Sequence, residues 1–138
     1  MAGGTQAEQG RADSGKNPIR TYRDLVAWQV GMDLAAAVLR AADLLPTDQR
    51  FALGMQMRRA AVSVPSNIAE GFGRGTGKEF RRFLVIARGS LFELQTQAEL
   101  ARRMGWLSGG SLREVRELSH RLDALVAGLL KSLPRRTK

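Results

Sequence analysis

Apolar positions recur along this chain at spacings of three and four, the period of one face of an α-helix. Four segments show the pattern. The first follows Thr21-Tyr22-Arg23-Asp24, a capping-box pattern with Asp in place of the preferred Glu or Gln, and it runs to about Leu44. Its inward stripe is Leu25, Trp28, Met32, Ala35, Leu39 and Ala42, widened by Val26, Val30 and Val38. Trp28 lies on that stripe and so reads as a core anchor rather than a ligand platform. Pro46-Thr47 marks a boundary, where Thr47 can cap and Asp48 suits the positive end of a helix. The second segment carries Leu53, Met57, Ala60, Ala61, Val64 and Ile68 on one side. Pro65 interrupts it, removing one backbone donor and crowding the carbonyl of Ala61. The apolar spacing resumes at Ile68, so a kink is expected rather than a stop.

The third segment runs from about Lys78 to Met104, opened by a capping box at Thr76 and Glu79. Phe80, Ala87, Leu94 and Ala101 repeat every seven residues, and Leu84, Leu91 and Ala98 fill the adjacent row, which makes a bundle seam. Val85, Ile86 and Phe92 exceed what one seam can use and are expected at a subunit interface. Gly89-Ser90 suits a close helix approach. Gly105 suits a left-handed helix end, with Trp106-Leu107 supplying the closing hydrophobic contact. The fourth segment follows a further Ser111/Glu114 capping box and buries Leu112, Val115, Leu118, Leu122, Leu125, Leu129 and Leu133 before Pro134 ends it. Four long helices with short connections predict an all-α fold, an antiparallel up-down four-helix bundle with a proline-kinked second helix. Residues 1–20 read as a disordered tail, 21–133 as the bundle and 134–138 as a basic tail.

If helical phase survives Pro65, then Arg59, Ser63, Asn67 and Glu70 share a face with Arg74. They are expected to form a structural polar seam, with Glu70 paired to an arginine and Asn67 satisfying carbonyls that the proline releases. The run Gly71 to Lys78 contains a Gly-Lys pair but fails as a phosphate-binding P-loop. Phe72 stands at the leading glycine position, Glu79 at the Ser/Thr position, and no strand precedes it. It reads as an interhelical turn.

The stretch QMRRAAVSVPSNIAEGFGRGTGKEFRRFLVIARGSLFEL resembles the bacterial four-helix-bundle proteins encoded in intervening sequences of large-subunit rRNA genes. The accessory variability proteins of diversity-generating retroelements belong to the same broad group. The similarity extends to YRDLVAWQ (Tyr22 to Gln29) and to Gly105-Trp106-Leu107, covering roughly Tyr22 to Leu130. It implies a bundle that assembles into a cyclic homopentamer. The retroelement relatives add a reverse transcriptase as a possible protein partner.

Charge changes the picture most. The formal net charge is +9, and 18 of the 22 basic residues are Arg. Such an excess favours acidic partners, nucleic acid first, although Arg richness also follows from a GC-rich genome. The bundle, 21–133, carries +5, and the stretch from Arg58 to Arg88, with seven basic residues and two acids, accounts for all of it. The expected nucleic-acid-binding groups are Arg58, Arg74, Lys78, Arg81, Arg82 and Arg88, neutralising phosphates without reading bases. With no Cys, one His (His120) and no Glu-x-x-His motif, the chain is poorly equipped for acid–base or metal chemistry. A non-enzymatic protein without catalytic residues, cofactors or metal is expected. Absence of Cys fits a cytoplasmic setting, and no apolar span is long enough to cross a bilayer. Three functions stay open: nucleic-acid binding, a protein adaptor beside a reverse transcriptase, and a structural oligomer using its arginines in intersubunit salt bridges.

Overall fold

The computed structural model describes residues 18–134. Four long helices, α1 (Val26–Ala42), α2 (Leu53–Gly73), α3 (Gly77–Arg103) and α4 (Gly109–Ser132), form a four-helix bundle. There is no strand among the described residues. Each helix packs on two neighbours, in the order α1, α2, α3, α4 around the bundle, and the α2–α3 contact is the most extensive. Leu34, Met57, Ile68, Phe80, Leu84, Leu91, Leu94 and Leu122 are fully buried at its centre. Each such side chain contributes about 1.5–3 kcal/mol by leaving water.

The third segment folds as its heptads require, with Phe80, Leu84, Ala87, Leu91, Leu94, Ala98 and Ala101 all buried. Its start is capped by Thr76, whose hydroxyl accepts the Glu79 N–H at 3.2 Å. Its end is a Schellman motif. Gly105 takes φ +74, Trp106 N–H donates to Ala101 O, and Gly105 N–H donates to Arg102 O.

The first segment departs from expectation. The Thr21/Asp24 capping box forms, but it closes only a 3-10 turn, Tyr22–Asp24, and Leu25 is extended before α1 begins. Of the stripe counted from Leu25, only Leu25, Ala35 and Ala42 are buried. The inward face is Val30, Leu34, Val38 and Ala41, whereas Met32 and Leu39 are 46% and 39% exposed and Trp28 is half-buried at the edge. This phase brings Gly31 against α2, where an added Cβ would lie 3.4 Å from Pro65 Cβ. The folded part also starts earlier than Thr21, because Ile19 packs on the core and Arg20 N–H donates to Asp24. The expected disorder of residues 1–17, and the basic residues after Pro134, lie outside the described residues.

The second segment is divided too. Thr47–Arg50 is a single helical turn with Pro46 at the N-cap position and no side-chain cap, so Thr47 does not cap it, and α2 starts afresh at Leu53. From there it runs unbroken through Pro65 to Gly73, so the proline does not stop it. Ser108, not Ser111, is the N-cap of α4, because Gly109 and Gly110 are already helical, and no Ser111/Glu114 capping box forms. Of the Gly89-Ser90 pair, Gly89 faces open space, with nothing within 4 Å of a Cβ built there, whereas Ser90 meets Ser63 of α2 at 2.8 Å. The tight crossing is at Gly71, where a Cβ would fall 2.5 Å from Phe83 Cβ.

Candidate nucleic-acid interface

The end of α2, the turn Arg74–Thr76 and the first turns of α3 make one end of the bundle. The turn is short because Gly75 adopts φ +87, which other residues take up only with strain. The Phe83 ring, anchored against Gly71 at the helix crossing, then receives two guanidinium groups. Arg74 lies 5.0 Å and Arg82 4.6 Å from its centroid. Cations so placed gain about 0.5–1 kcal/mol each and lose side-chain freedom, which fixes their spacing. Each also has an acid on its own helix. Arg74 bonds Glu70 at 3.0 Å, and Arg82 sits 3.6 Å from Glu79. These pairs are solvent-exposed, so they contribute about 0–1 kcal/mol and are readily exchanged for another anion. Lys78 is exposed between them.

The other three expected phosphate ligands are engaged elsewhere. Arg58 lies sixteen residues before Arg74, about 24 Å away at the helical rise. It donates to Asp43 Oδ1 at 2.8 Å and to the Arg50 carbonyl at 2.9 Å, tying α2 to the α1 end. Arg81 is half-buried and donates to the Leu130 carbonyl at 2.7 Å, in the last turn of α4, where that carbonyl also accepts the Leu133 N–H at 3.3 Å. Arg88 donates to Asp123 on α4 at 2.9 Å and lies over the Phe92 ring. The positive cluster thus contracts from six residues to Arg74, Lys78 and Arg82.

The polar seam forms in part. Asn67 donates to the Ser63 carbonyl at 2.8 Å and to its hydroxyl, and the Ser63 hydroxyl shares a 2.8 Å bond with Ser90 on α3. The Asn67 amide therefore does not serve Ala61, whose carbonyl the proline deprives of its donor. Glu70 pairs with Arg74 at the surface rather than inside, and exposed Arg59 stands apart, eleven residues away along α2. On α3, Val85, Ile86 and Phe92 are all exposed, but they are not one row. Successive helical residues are about 100° apart, so Ile86 falls on the α2 side while Val85 and Phe92 align.

Elsewhere the sequence reading missed a cluster. Glu99 accepts from Arg102 and Arg103 on α3 and from Arg116 on α4. Hydrogen bonds from Arg102 and Arg103 lower its carboxyl to about 2. Beside it Gln95 donates to nearly buried Ser119, and the cleft they share with exposed His120 is small. The three arginines follow Glu99 at helical spacings of three and four or face it across the bundle; only the first two were visible as neighbours in sequence. No group of His, Cys, Asp and Glu able to hold a metal occurs among the described residues, and no helix there is long and apolar enough to cross a membrane.

A bundle of this connectivity is found among solved structures. A crystal structure from Bacteroides thetaiotaomicron, described as a protein of unknown function from the S23 ribosomal protein family, superposes with a TM-score of 0.71. It is 20% identical, and the match covers 77% of this chain and 96% of that one, which shows the shared fold. The family model for 23S rRNA-intervening sequence proteins matches residues 23–128. The chain belongs to that family. No curated protein matches it.

Proposed function

We propose that this protein is a non-catalytic, self-associating bundle that binds the phosphate backbone of nucleic acid through Arg74, Lys78 and Arg82. The observation that carries the reading is the pair of guanidiniums, Arg74 from the end of α2 and Arg82 from α3, stacked on the single Phe83 ring. Two rigidly spaced forks beside a glycine turn match phosphate geometry, and their exposed acid partners hold them only weakly. Nothing in the cluster presents a free aromatic face for stacking a base, since Phe83 is buried, so little sequence preference follows. Self-association is favoured by a separate observation, the exposed apolar residues of α1, α2 and α3. Repetition of a three-cation cluster in one assembly, five times if the family resemblance holds, turns weak contacts into avidity.

Fluorescence anisotropy with labelled RNA and DNA across a salt series tests this. Binding should fall steeply with salt and differ little among sequences. Replacing Arg74 and Arg82 together by Gln should weaken binding to every sequence. It should also flatten the salt slope by about two for each engaged subunit on duplex DNA. Arg81→Gln should instead lower the melting temperature, by about 1 kcal/mol of stability, because it removes the half-buried bond from the guanidinium to the Leu130 carbonyl. Absence of binding at low salt, or a double variant with the wild-type slope, would refute the reading.

A further inference from the structure

Arg74 and Arg82 each have two partners of different kinds. The Phe83 ring lies 5.0 Å from one guanidinium carbon and 4.6 Å from the other. An acid lies about one turn back on the chain, Glu70 at 3.0 Å from Arg74 and Glu79 at 3.6 Å from Arg82. The two kinds of partner do not compete. A ring attracts the cation and uses none of its five N–H donors, whereas a carboxylate takes those donors directly. We propose that Glu70 and Glu79 are resident competitors for the phosphate site. In the free protein they occupy donors that phosphate takes, and binding exchanges carboxylate for phosphate on forks that Phe83 keeps in place. The proposal rests on the reading of Arg74, Lys78 and Arg82 as a phosphate site and gives two acids a role in setting its affinity.

The geometry separates these two pairs from a fixed salt bridge. Arg74 meets Glu70 through a single bond, with the side chains 47% and 54% exposed. Arg82 and Glu79 are too far apart for a good hydrogen bond and are held by charge alone. Glu99 shows the opposite arrangement, accepting four N–H bonds from Arg102, Arg103 and Arg116. A carboxylate held once at the surface opens readily, and both acids can turn to water when it does. The swap itself is close to even, one anion for another on the same donors. The counterions that a polyanion sheds supply the drive, which a lone carboxylate does not have. Lys78, exposed and without an acid partner among the described residues, is open to the first phosphate before either exchange takes place.

Removing the acids tests this. In fluorescence anisotropy with a labelled DNA duplex at low salt, Glu70→Gln and Glu79→Gln should each tighten binding about two- to six-fold, the range that the strength of an exposed pair allows. The gains should multiply in the double variant, because the pairs share no partner, and should shrink as salt rises. Removing any nearby negative charge would also help a polyanion, so the decisive measurement is a double-mutant cycle. Glu70→Gln should give no gain in an Arg74→Gln background, nor Glu79→Gln in an Arg82→Gln background. Phe83 has its own readout. The ring-current shifts of the Arg74 and Arg82 Nε–H protons should survive both in the double Gln variant and on DNA binding. Single Gln variants that bind no tighter than the wild type, or gains that persist without the paired arginine, would overturn the proposal and leave the phosphate reading standing. Loss of the ring-current shifts once the acids are gone would also overturn it, because the acids and not the ring would then be holding the forks. Absence of binding by the wild type and by every Gln variant would remove the phosphate reading and this proposal together.

Discussion

Adding one methyl group at Gly71 tests the α2–α3 crossing directly. On helix propensity alone Gly71→Ala should be favourable, by about 1 kcal/mol for an interior glycine. Packing opposes it. The new Cβ would lie 2.5 Å from Phe83 Cβ, with Phe80 Cδ1 and Phe83 Cγ at 3.3 Å. Carbon atoms sit comfortably at about 3.5–4.0 Å, so the helices must part by roughly 1 Å here. The obstructing atom is Phe83 Cβ, next to the backbone, and cannot swing aside as the tip of a long side chain would. Overpacking of this kind costs about 1–3 kcal/mol, and the size of the overlap places this site in the upper part of that range. The net expectation is a loss of about 1–2 kcal/mol, a fall of roughly 4–8 °C in melting temperature for a domain of this size. Gly128, inside α4 with nothing within 4 Å of its added Cβ, is the control. Gly128→Ala should gain about 0.5–1 kcal/mol. Thermal denaturation followed by circular dichroism reads both. A Gly71→Ala protein as stable as the wild type would mean that the crossing is looser than described, and an unstable Gly128→Ala would undermine the propensity argument itself.

Two further outcomes are expected. Glu99 has its carboxyl held near 2 instead of 4.5, chiefly by Arg102 and Arg103. A depressed carboxyl contributes stability above its unfolded value and loses it as the pH falls towards the folded one. Glu99→Gln should therefore be less stable than the wild type at neutral pH, with the gap closing between pH 4.5 and about 2. Parallel denaturation curves with a constant gap would count against it. Gln97 is 7% exposed, and its Oε1 is buried without a hydrogen-bond partner. Gln97→Met should stabilise by about 1 kcal/mol, seen as a higher urea midpoint at unchanged slope, and a lower midpoint would show that the carbonyl has a donor in solution.

What the sequence revealed best were the elements with one apolar phase. On α3, Phe80, Leu84, Leu91 and Leu94 admit a single inward face, and Gly105 can only end the helix. On α1 the signal is double. Val30, Leu34 and Val38 form one row, Trp28, Met32 and Leu39 another, and alanines fill the space between. Periodicity cannot say which row faces the core, and the extended Leu25 breaks the count from the cap. The candidate site shows a different limit. Composition localised the charge but could not tell a free arginine from an engaged one. A signal existed all the same: Arg81, Arg88 and Gln95 are seven apart and flank the Leu84–Leu91–Ala98 row. Flanking heptad positions reach towards the neighbouring helix, and these three meet Leu130, Asp123 and Ser119 of α4. The Phe83 bracket had no such signal, because it depends on how α2 and α3 cross at Gly71.

Arg81 holds the end of α4 beside the start of α3, and Gly77 completes the join. A Cβ on Gly77 would lie 3.4 Å from both Leu133 Cδ2 and Pro134 Cδ. The polypeptide therefore leaves the bundle next to the α2–α3 turn, and whatever is covalently attached after Pro134 begins its path there. A fluorophore attached at position 134 would sit beside the start of α3 and could report on a ligand at that end. An acidic peptide in that position would act as a tethered competitor, and a fluorescence donor would be quenched or freed as the site filled. Labels meant to be silent are better placed on the exposed side of α4, for example at Gly128.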